Sequence, residues 1–428
     1  MGDAWPFVRW EIKIGKPKTK YKPMKGPLSG IRVLALSQII AGPYGSMLLG
    51  DLGAEVIKIE PPEPIGSRTF PGPGHEGETF YHLAFNRSKK SVTLDLRTKM
   101  GGEAFHDLVR ISDVVWDNFR PGVIKNLGAD YDTIKKINPR IISCSITGYG
   151  SSGPYQDQPS FDIGALALSG VMSITGEPGG PPVRPGAPIG DIMAGTLGAI
   201  GVCAALVRRE QTGRGQIVDV SLLDSCISML AYEFSHYFCS GIVPKALGAS
   251  HVSLVPYNAY NTKEGWLVIG PSWPALARLL GLDWMINDPR FSSQQARLQN
   301  KEDFDRLVQE KLMEAPAEEW LKLMKAEDVA ASPVNTLDKA AADPQVQHRH
   351  MILELDHPLG GKVKLTGNAI KMPGSIDDSN YLPPPTLGQH NYEVLGDLLS
   401  YPKEKINKLI EEGKAHMTKL SKHVHKRL

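Results

Sequence analysis

The sequence contains one aspartate whose surroundings suit covalent chemistry on a carbonyl group. Asp191 follows Gly190, between the turn-rich stretch PGGPPVRPGAPIG (178–190) and an apolar helical stretch (192–209). Glycine recurs every three residues in this helical stretch, which predicts a bare face for close backbone packing. An aspartate at the start of a helix usually caps backbone N–H groups, and this structural role is one interpretation. The other is catalysis, because a carboxylate beside glycine is open to a ligand and can act as a nucleophile in acyl or phosphoryl transfer.

A glycine-rich segment, GYGSSG (148–153), has the G-x-G-x-x-G spacing of dinucleotide-binding loops. Glu60, at the end of a predicted strand, stands where such folds bind a ribose hydroxyl. Pro154 and the polar stretch YQDQPS follow the loop in place of an apolar helix, so the match is weak. Backbone binding of a phosphate or acyl group and a plain tight turn are the alternatives.

Polar residues also follow other predicted strands. The segment NRSKKS (86–91) and Arg97 could bind phosphates or form a solvated face, and NFRPG (118–122) offers an amide and a guanidinium. The G-x-S-x-G motif of serine hydrolases, the H-E-x-x-H motif of zinc proteases and clusters with zinc-ligand spacing are all missing from the sequence. Serine and zinc hydrolysis are therefore not predicted.

Alternating β-rich and helical patterns must position these groups. Strands are predicted at 31–36, 55–60, 91–96, 113–119, 140–147 and 217–223, and helices at 46–53, 100–111, 122–137 and 192–209. This alternation is typical of an α/β fold with a parallel sheet and helices on both faces. Ligands in such folds bind beyond the carboxyl ends of the strands, so the loops after 36, 60, 96, 119 and 147 are the expected site.

Composition and charge narrow the class of protein. The 428 residues include 43 glycines and 33 prolines, and 48 basic against 46 acidic residues leave a net charge of only +2. This balance argues against a nucleic-acid-binding protein. The longest uncharged stretch, 192–207, favours a buried helix over a membrane span. Four dispersed cysteines and the lack of a signal-peptide pattern predict a cytoplasmic protein with free thiols.

The patterns also predict the domain organisation. Residues 1–29 form a lysine-rich arm, 30–225 the first part of a large domain, and 226–332 a smaller domain with a hairpin and amphipathic helices at 302–313 and 317–326. Residues 333–428 begin with a linker (333–344) and return to the large domain, ending in a basic tail from 414. Both basic ends are interpreted as solvated or subunit-contacting segments, with anion binding as the alternative.

Taken together, the motifs resemble those of the class III CoA-transferases, the group of formyl-CoA and carnitine CoA-transferases and α-methylacyl-CoA racemases. The resemblance covers about 30–398 and is carried, in the family's order, by AGPYGSMLLGDLGAEVIKIE, NRSKKSVTLDLR, DNFRPGVIKNLG, ITGYGSSGP, GAPIGDIMAG, TGRGQIVDVSLLDS, VPYNAYNTKEGWLVIG, INDPRF, SPVNTLDKAAADPQV and PPPTLGQH. It implies a Rossmann-like large domain, a smaller α+β domain and an interlocked dimer, either of identical chains or with a related chain.

The resemblance implies covalent catalysis with Asp191 as the nucleophile and with no metal or tightly bound cofactor. The substrates would be an acyl-CoA, with succinyl-CoA as a candidate donor, and a carboxylic acid. Carried over residue by residue, the implied CoA site includes residues at several strand ends and a tyrosine near the thioester: Ile40, Ala41, Leu94, Leu96, Arg97, Asn118, Phe119 and Tyr149.

The sequence departs from the family pattern at several positions. Pro61 and Asn126 stand where the family has arginines, and Ile40 replaces a glutamine that formyl-CoA transferase uses beside its aspartate. The segment ALGASHVSLVP (246–256) replaces the glycine tetrad that closes over that enzyme's site. These departures argue against formate and oxalate as substrates.

Two other functions remain open from the sequence. The chain could be a CoA-binding subunit of a heteromeric CoA-transferase, without activity of its own. It could also be a racemase, although that branch uses the histidine of a Gly-His-Asp motif, and this chain has Ser160-Phe161-Asp162 there.

Overall fold

The computed structural model describes residues 25–376 and 381–425, with side chains as far as residue 419. The predicted basic arm (1–29) lies mostly outside the described residues, as does the very end of the predicted basic tail. The chain folds into two compact units. The first comprises residues up to 169, 186–231 and 348 onward, and the second comprises 170–185 and 232–347.

The strands are β1 Arg32–Ala35, β2 Glu55–Glu60, β3 Gly74–His75, β4 Glu78–Thr79, β5 Lys89–Thr93, β6 Val114–Asp117, β7 Ile142–Thr147, β8 Ile217–Ser221, β9 Asn258–Asn261, β10 Trp266–Ile269, β11 Ala331–Pro333, β12 Ile352–Asp356 and β13 Lys362–Thr366. The α-helices are α1 Ala41–Asp51, α2 Phe80–Phe85, α3 Lys99–Arg110, α4 Pro121–Asn126, α5 Tyr131–Ile137, α6 Asp162–Ser169, α7 Ile189–Thr212, α8 Leu222–Met229, α9 Ala231–Ser240, α10 Ala275–Leu279, α11 Gln294–Gln299, α12 Lys301–Leu312, α13 Ala317–Ala326, α14 Leu337–Ala342, α15 Pro344–His348 and α16 Lys403–His425. Short 3-10 helices span Gly66–Thr69, Val171–Ser173 and Asp283–Ile286, and a π-helix spans Tyr392–Leu398.

A six-stranded parallel sheet forms the centre of the first unit, with the strand order β5-β2-β1-β6-β7-β8. The predicted α/β class with a Rossmann-like parallel sheet is confirmed. The order reverses between β1 and β6, because β2 and β5 lie on one side of β1 and the later strands lie on the other. Loops leaving the carboxyl ends of two such strands diverge, and the crevice between them is where ligands bind in this class of fold.

The glycines of α7 allow it to pack very closely on its neighbours. A Cβ atom added to Gly195 would lie 2.6 Å from the carbonyl oxygen of Ala41 and 3.0 Å from the amide of Gly45 in α1. One added to Gly198 would meet the ring of Trp116, and one added to Gly201 would meet Val218. The three-residue glycine spacing therefore leaves a bare face for close packing, as predicted from the sequence. α7 is long and apolar enough to cross a membrane by length and composition, but this packing is that of a core helix.

The apolar core on one side of the sheet joins residues from distant parts of the chain. Ile57, Phe105 and Ile134 are fully buried there, and Ile406 and Leu409 of α16 pack into the same core. The C-terminal helix is thereby fixed to the sheet that carries the strand-end loops.

The second unit has its own sheet and core. Its antiparallel sheet has the order β11-β10-β9, and its core includes Tyr260, Phe291, Phe304 and Trp320. The helices predicted at 302–313 and 317–326 correspond to α12 and α13. The second unit is thus a small α+β layer, in agreement with the predicted fold class.

The structure corrects several sequence-based boundaries. The helix predicted at 122–137 is two helices, α4 and α5, and the linker predicted at 333–344 contains helix α14. Gly128 interrupts the predicted helix between α4 and α5, because its φ of 64° is a left-handed conformation that ends a helix. The strand predicted at 91–96 begins earlier, at Lys89, whose lysine side chain is buried where an exposed one was expected.

Candidate active site

A cavity of about 310 Å³ opens in the first unit at the carboxyl ends of β1, β6, β7 and β8. Its wall includes Asp191, the loop after β1 (Gln38 to Ala41), the loop after β6 (Asn118 to Pro121) and Gly148 after β7. Three of the five strand-end loops predicted from the sequence, those after 36, 119 and 147, therefore converge on the predicted nucleophile.

Asp191 is the third residue of α7, which begins at Ile189 after Pro188. The interpretation of Asp191 as the helix cap is wrong, because the capping position belongs to Pro188, whose side chain makes no capping hydrogen bond. The carboxylate is half-buried in the first turn, where the partial positive charge of the helix N-terminus stabilises an anion. The same field stabilises negative charge that develops on an attacking or leaving oxygen.

A second carboxylate approaches the start of the same helix. Oδ1 of Asp162 accepts the backbone N–H of Asp191 at 3.2 Å. A Cβ atom added to Gly190 would lie 2.9 Å from Oδ1 of Asp162 and 3.1 Å from Sγ of Cys226. Glycine at 190 is therefore required for Asp162 to reach the backbone of Asp191.

Cys226 lies below this pair and is fully buried. Burial raises the pKa of its thiol to about 11, and the negative charges of Asp162 and Asp191 contribute in the same direction. A thiol with such a pKa stays protonated at neutral pH, so Cys226 is a packing residue rather than a competing nucleophile.

The loop between β1 and α1 is clamped by the amide of Asn118. Its Oδ1 accepts the backbone N–H of Gln38 at 2.8 Å, and its Nδ2 donates to the Gln38 carbonyl at 2.8 Å. This two-point bond holds together the loops after β1 and β6, on either side of the sheet's reversal point. Ile39 takes a φ of 65°, and Ile40 and Ala41 follow as buried residues of the cavity wall.

A second cavity of about 320 Å³ adjoins the first, and the two share Gln38 and Phe119 as lining residues. Leu94, Leu96 and Arg97 line this second cavity, at the carboxyl end of β5. Of the predicted CoA-site residues, Ile40, Ala41 and Asn118 thus lie in the first cavity, Leu94, Leu96 and Arg97 in the second, and Phe119 in both. Tyr149 lines neither cavity and packs edge-on against Tyr155, with 5.7 Å between the ring centroids.

Several charged residues that could have bound a ligand are instead buried in ion pairs. Glu60 accepts two bonds from Arg68, at 2.8 and 3.0 Å, and Arg68 also bonds both oxygens of Glu78. Burial opposes ionisation of Glu60, but the Arg68 charge and its hydrogen bonds outweigh it and hold the pKa of the Glu60 carboxyl far below its usual value. Glu60 lines the second cavity, but both of its oxygens accept bonds from Arg68, which weakens the case for a ribose-binding Glu60.

The basic segment 86–91 is also structural in part. Arg87 forms a buried ion pair with Asp51 at 2.6 Å. Lys89 donates to the carbonyls of Pro43 and Phe85 at 2.8 and 2.9 Å, and burial lowers the pKa of its ammonium group well below the usual value. Neither side chain faces a ligand, so phosphate binding by this pair of residues is wrong.

Asp117 lies directly under the first cavity, at the end of β6. It is fully buried, and burial raises the pKa of its carboxyl to about 6. Hydrogen bonds from the Ser145 hydroxyl at 2.6 Å and the Phe119 N–H at 3.0 Å oppose part of this shift. The carboxyl therefore fixes the backbone of a cavity residue and titrates in mildly acidic solution.

Sequence reasoning missed three groups at the two cavities. The sequence placed Asp162 only in a motif that lacks the racemase histidine, and it gave Gln38 and Met417 no role at the site. A carboxylate 29 positions before the nucleophile carries no local signal, and Met417 comes from the opposite end of the chain. Among the described residues, no group of three His, Cys, Asp or Glu side chains is placed to hold a metal ion.

Comparisons with known proteins agree with this geometry. The model of CoA-transferase family III matches residues 28–391. The succinyl-CoA:glutarate CoA-transferase of Homo sapiens is 34% identical over 404 residues, which cover 93% of this chain and 92% of the relative. The succinyl-CoA–L-malate CoA-transferase beta subunit of Chloroflexus aurantiacus is 35% identical, covering 90% of this chain and 96% of the relative. A solved CAIB/BAIF family protein from Brucella suis superposes with a TM-score of 0.80 at 34% identity, covering 87% of this chain and 100% of the other.

Proposed function

The chain belongs to CoA-transferase family III, and from this premise we propose that it moves CoA from succinyl-CoA to a second dicarboxylic acid, with Asp191 as the covalent nucleophile. The observation that carries the proposal is the half-buried position of Asp191 in the first turn of α7, on the wall of a cavity formed by the strand-end loops.

The reaction would pass through Asp191 in four balanced steps. The Asp191 carboxylate attacks the thioester carbonyl of the donor, forming a mixed anhydride and releasing CoA thiolate. The thiolate attacks the aspartyl carbonyl, forming an aspartyl-CoA thioester and freeing the donor acid as its carboxylate. The acceptor carboxylate then attacks this thioester to form a second anhydride and CoA thiolate. Attack of the thiolate on the acceptor's acyl carbonyl yields the new acyl-CoA and restores Asp191.

The CoA molecule would extend along the two adjoining cavities. Its thioester would lie in the first, beside Asp191, Ile40 and Ala41, and its nucleotide in the second, beside Leu94, Leu96 and Arg97. The support is that both cavities meet at Gln38 and Phe119 and together follow the carboxyl ends of the strands. Tyr149 remains a predicted neighbour of the thioester, because Gly148, the residue before it, belongs to the cavity wall.

A dicarboxylic substrate is favoured by the charge in the first cavity. Arg120 is the one cationic side chain among the described lining residues, and it is exposed. It forms no ion pair or hydrogen bond with the other described residues, so its guanidinium is available to the distal carboxylate of a bound acid. The names of the two enzyme relatives described above contain glutarate and malate, respectively, and both names contain succinyl-CoA.

The test is a donor and acceptor screen by mass spectrometry, combined with the variant Asp191→Asn. The screen offers succinyl-CoA with glutarate, malate, mesaconate and monocarboxylic acids, and follows which acyl-CoA forms. Asp191→Asn should abolish transfer with an unchanged melting temperature. Hydroxylamine added during turnover should label Asp191 in the wild type only. Asp328→Asn is the matched control, because Asp328 is exposed at a φ of 53°, a conformation that asparagine adopts readily. Full transfer by Asp191→Asn would refute the mechanism.

We propose that the protein is a dimer of two chains. We also propose that it works in the cytoplasm, a reducing compartment. Within the first unit, Ile200 and Val207 of α7 and Ile217 of β8 are more than half exposed, a pattern that an interface would cover. One relative is a beta subunit, so a heteromer with a related chain is the alternative. Native mass measurement of the purified chain, with and without a co-expressed relative, distinguishes the two; activity of the chain alone would exclude a silent subunit.

A further inference from the structure

We propose that the C-terminal helix α16 forms one wall of the nucleotide end of the CoA groove, and that Met417 packs against the adenine ring. This inference rests on the proposed function, since it takes CoA as the ligand of the second cavity. It assigns a binding role to a segment that the sequence marked only as a basic tail.

The second cavity has the lining that a flat heteroaromatic ring requires. Its wall is mainly apolar, with aliphatic side chains from several strand ends and Met417 from α16. Its charged lining residues are Arg97, Glu60 and Asp95, and both carboxylates accept bonds from arginines. Adenine binds in such slots because both ring faces exchange water for apolar contact, and a methionine sulfur adds a favourable contact with an aromatic ring. A phosphate group beside the ring would meet Arg97.

One face of α16 fixes its position on the cavity. Ile406 and Leu409 are buried in the sheet's core, and Gly413 follows about one turn later. A Cβ atom added to Gly413 would lie 2.6 Å from Cγ of Pro62 and 3.4 Å from Cβ of Asp95. The helix therefore touches the loops after β2 and β5, which are the loops that form the cavity.

A shared carboxylate connects α16 to the arginine of the cavity. Asp95 is almost fully buried and accepts bonds from Arg97 Nε at 2.7 Å and Nη2 at 2.9 Å. Its Oδ2 also lies 2.8 Å from Nδ1 of His416. Arg97 Nη2 contacts the sulfur of Met417 as well.

This arrangement holds the Arg97 side chain in one orientation. Asp95 occupies Nε and Nη2, while Nη1 has no hydrogen-bond partner among the described residues, and the side chain is 40% exposed. The free Nη1 can thus bind a phosphate oxygen while α16 covers the neighbouring apolar slot. His416 acts through Asp95, as a positioning residue, and Met417 would contact the ligand.

The experiment compares two thioester donors in the full-length protein. One is the acyl-CoA, and the other is the corresponding acyl-pantetheine, which lacks the nucleotide. Met417→Ala should raise the KM for the acyl-CoA about fivefold to tenfold, the effect of losing apolar contact from one side chain, and leave the KM for the acyl-pantetheine unchanged. Met417→Leu, which keeps the apolar volume, should restore most of the affinity.

Two controls keep the result interpretable. Met313→Ala makes the same chemical change at an exposed methionine that lines neither cavity, and should alter neither KM. Melting temperatures establish that the variants fold. An equal rise of KM for both donors, or no rise for the acyl-CoA, would overturn the proposal.

A binding measurement separates this inference from the proposed function. Calorimetric titration with CoA and with pantetheine needs no turnover. If the wild type binds CoA more tightly than pantetheine and Met417→Ala reduces that difference about fivefold to tenfold, the inference stands even where no transfer occurs. If transfer occurs but the two ligands bind alike, the inference fails and the proposed function stands.

Discussion

Oδ1 of Asp162 accepts the backbone N–H of Asp191 at 3.2 Å, so that two carboxylates share the first turn of one helix. In the proposed reaction, acylation of Asp191 removes its negative charge and with it the repulsion from Asp162, because the aspartyl anhydride and thioester are uncharged at that carbonyl. Under that mechanism the Asp162 charge favours the covalent intermediate over the free carboxylate, which leads to a direct prediction about Asp162.

Asp162→Asn should lower kcat about tenfold and change KM by less than twofold. The asparagine oxygen can still accept the Asp191 N–H, but the negative charge and its repulsion are lost. Steady-state kinetics with both substrates provide the measurement, and Asp328→Asn is the control. A rise in KM at constant kcat would instead indicate that Asp162 serves only to shape the substrate pocket.

Asn118→Ala should weaken CoA binding through the loop that Asn118 clamps. The variant loses both hydrogen bonds to the Gln38 backbone, together worth about 2 kcal/mol, and frees the loop that carries Ile40 and Ala41. The KM for the acyl-CoA should rise, by about thirtyfold if the whole loss appears in binding. Glutamine at this position, with the same amide on a longer chain, should not restore it. An unchanged KM would show that the loop keeps its shape without the clamp.

Arg120→Gln should distinguish dicarboxylic from monocarboxylic acceptors. If the guanidinium binds the distal carboxylate, its loss costs about 2 kcal/mol and raises the KM for glutarate about thirtyfold. The KM for a monocarboxylic acid of equal length should stay within twofold, and the KM for the acyl-CoA should not change. A comparable rise for the acyl-CoA would assign Arg120 to the phosphates of CoA instead.

Gly195→Ala should destabilise the first unit by about 2 kcal/mol or more, because an added methyl group has no space between α7 and α1. Thermal unfolding measures the effect, and transfer activity should fall with the folded fraction. Gly102→Ala in α3 is the control, since its Cβ would meet only the Leu96 carbonyl at 3.6 Å and alanine favours a helix. Equal stability of the two variants would contradict the close packing derived for α7.

The sequence predicted those features that depend on short-range pattern. The glycine spacing from Gly195 to Gly201 predicted a bare helix face, and the strand-end loops predicted the cavity around Asp191. Features that depend on distant partners were not predictable. Glu60 stands where dinucleotide folds bind a ribose, and nothing in the neighbouring sequence indicates Arg68 as its bidentate partner. Met417 likewise reaches Arg97 from 320 positions away. Ion pairs between distant residues, and cavity walls formed by the C-terminal part of the chain, leave no periodic signal in the sequence.

Asp117 should make the protein's stability fall as the pH rises from about 4 to about 6. Burial raises the pKa of this carboxyl to about 6, above its ordinary value of 3.8. The native state therefore holds a proton that the unfolded chain has already released. Its contribution to stability is complete below about pH 4 and is lost as the pH passes through about 6, amounting to roughly 3 kcal/mol.

Asp117→Asn isolates this contribution, since an asparagine can accept the Phe119 N–H with its oxygen and donate to the Ser145 hydroxyl with its amide. The other titrating groups are common to both proteins, so the difference in unfolding free energy between variant and wild type reports on Asp117. That difference should grow in favour of the variant by roughly 3 kcal/mol between about pH 4 and about pH 6. Urea denaturation at half-unit pH steps gives the measurement; parallel curves for the two proteins would mean that Asp117 is ionised throughout this range.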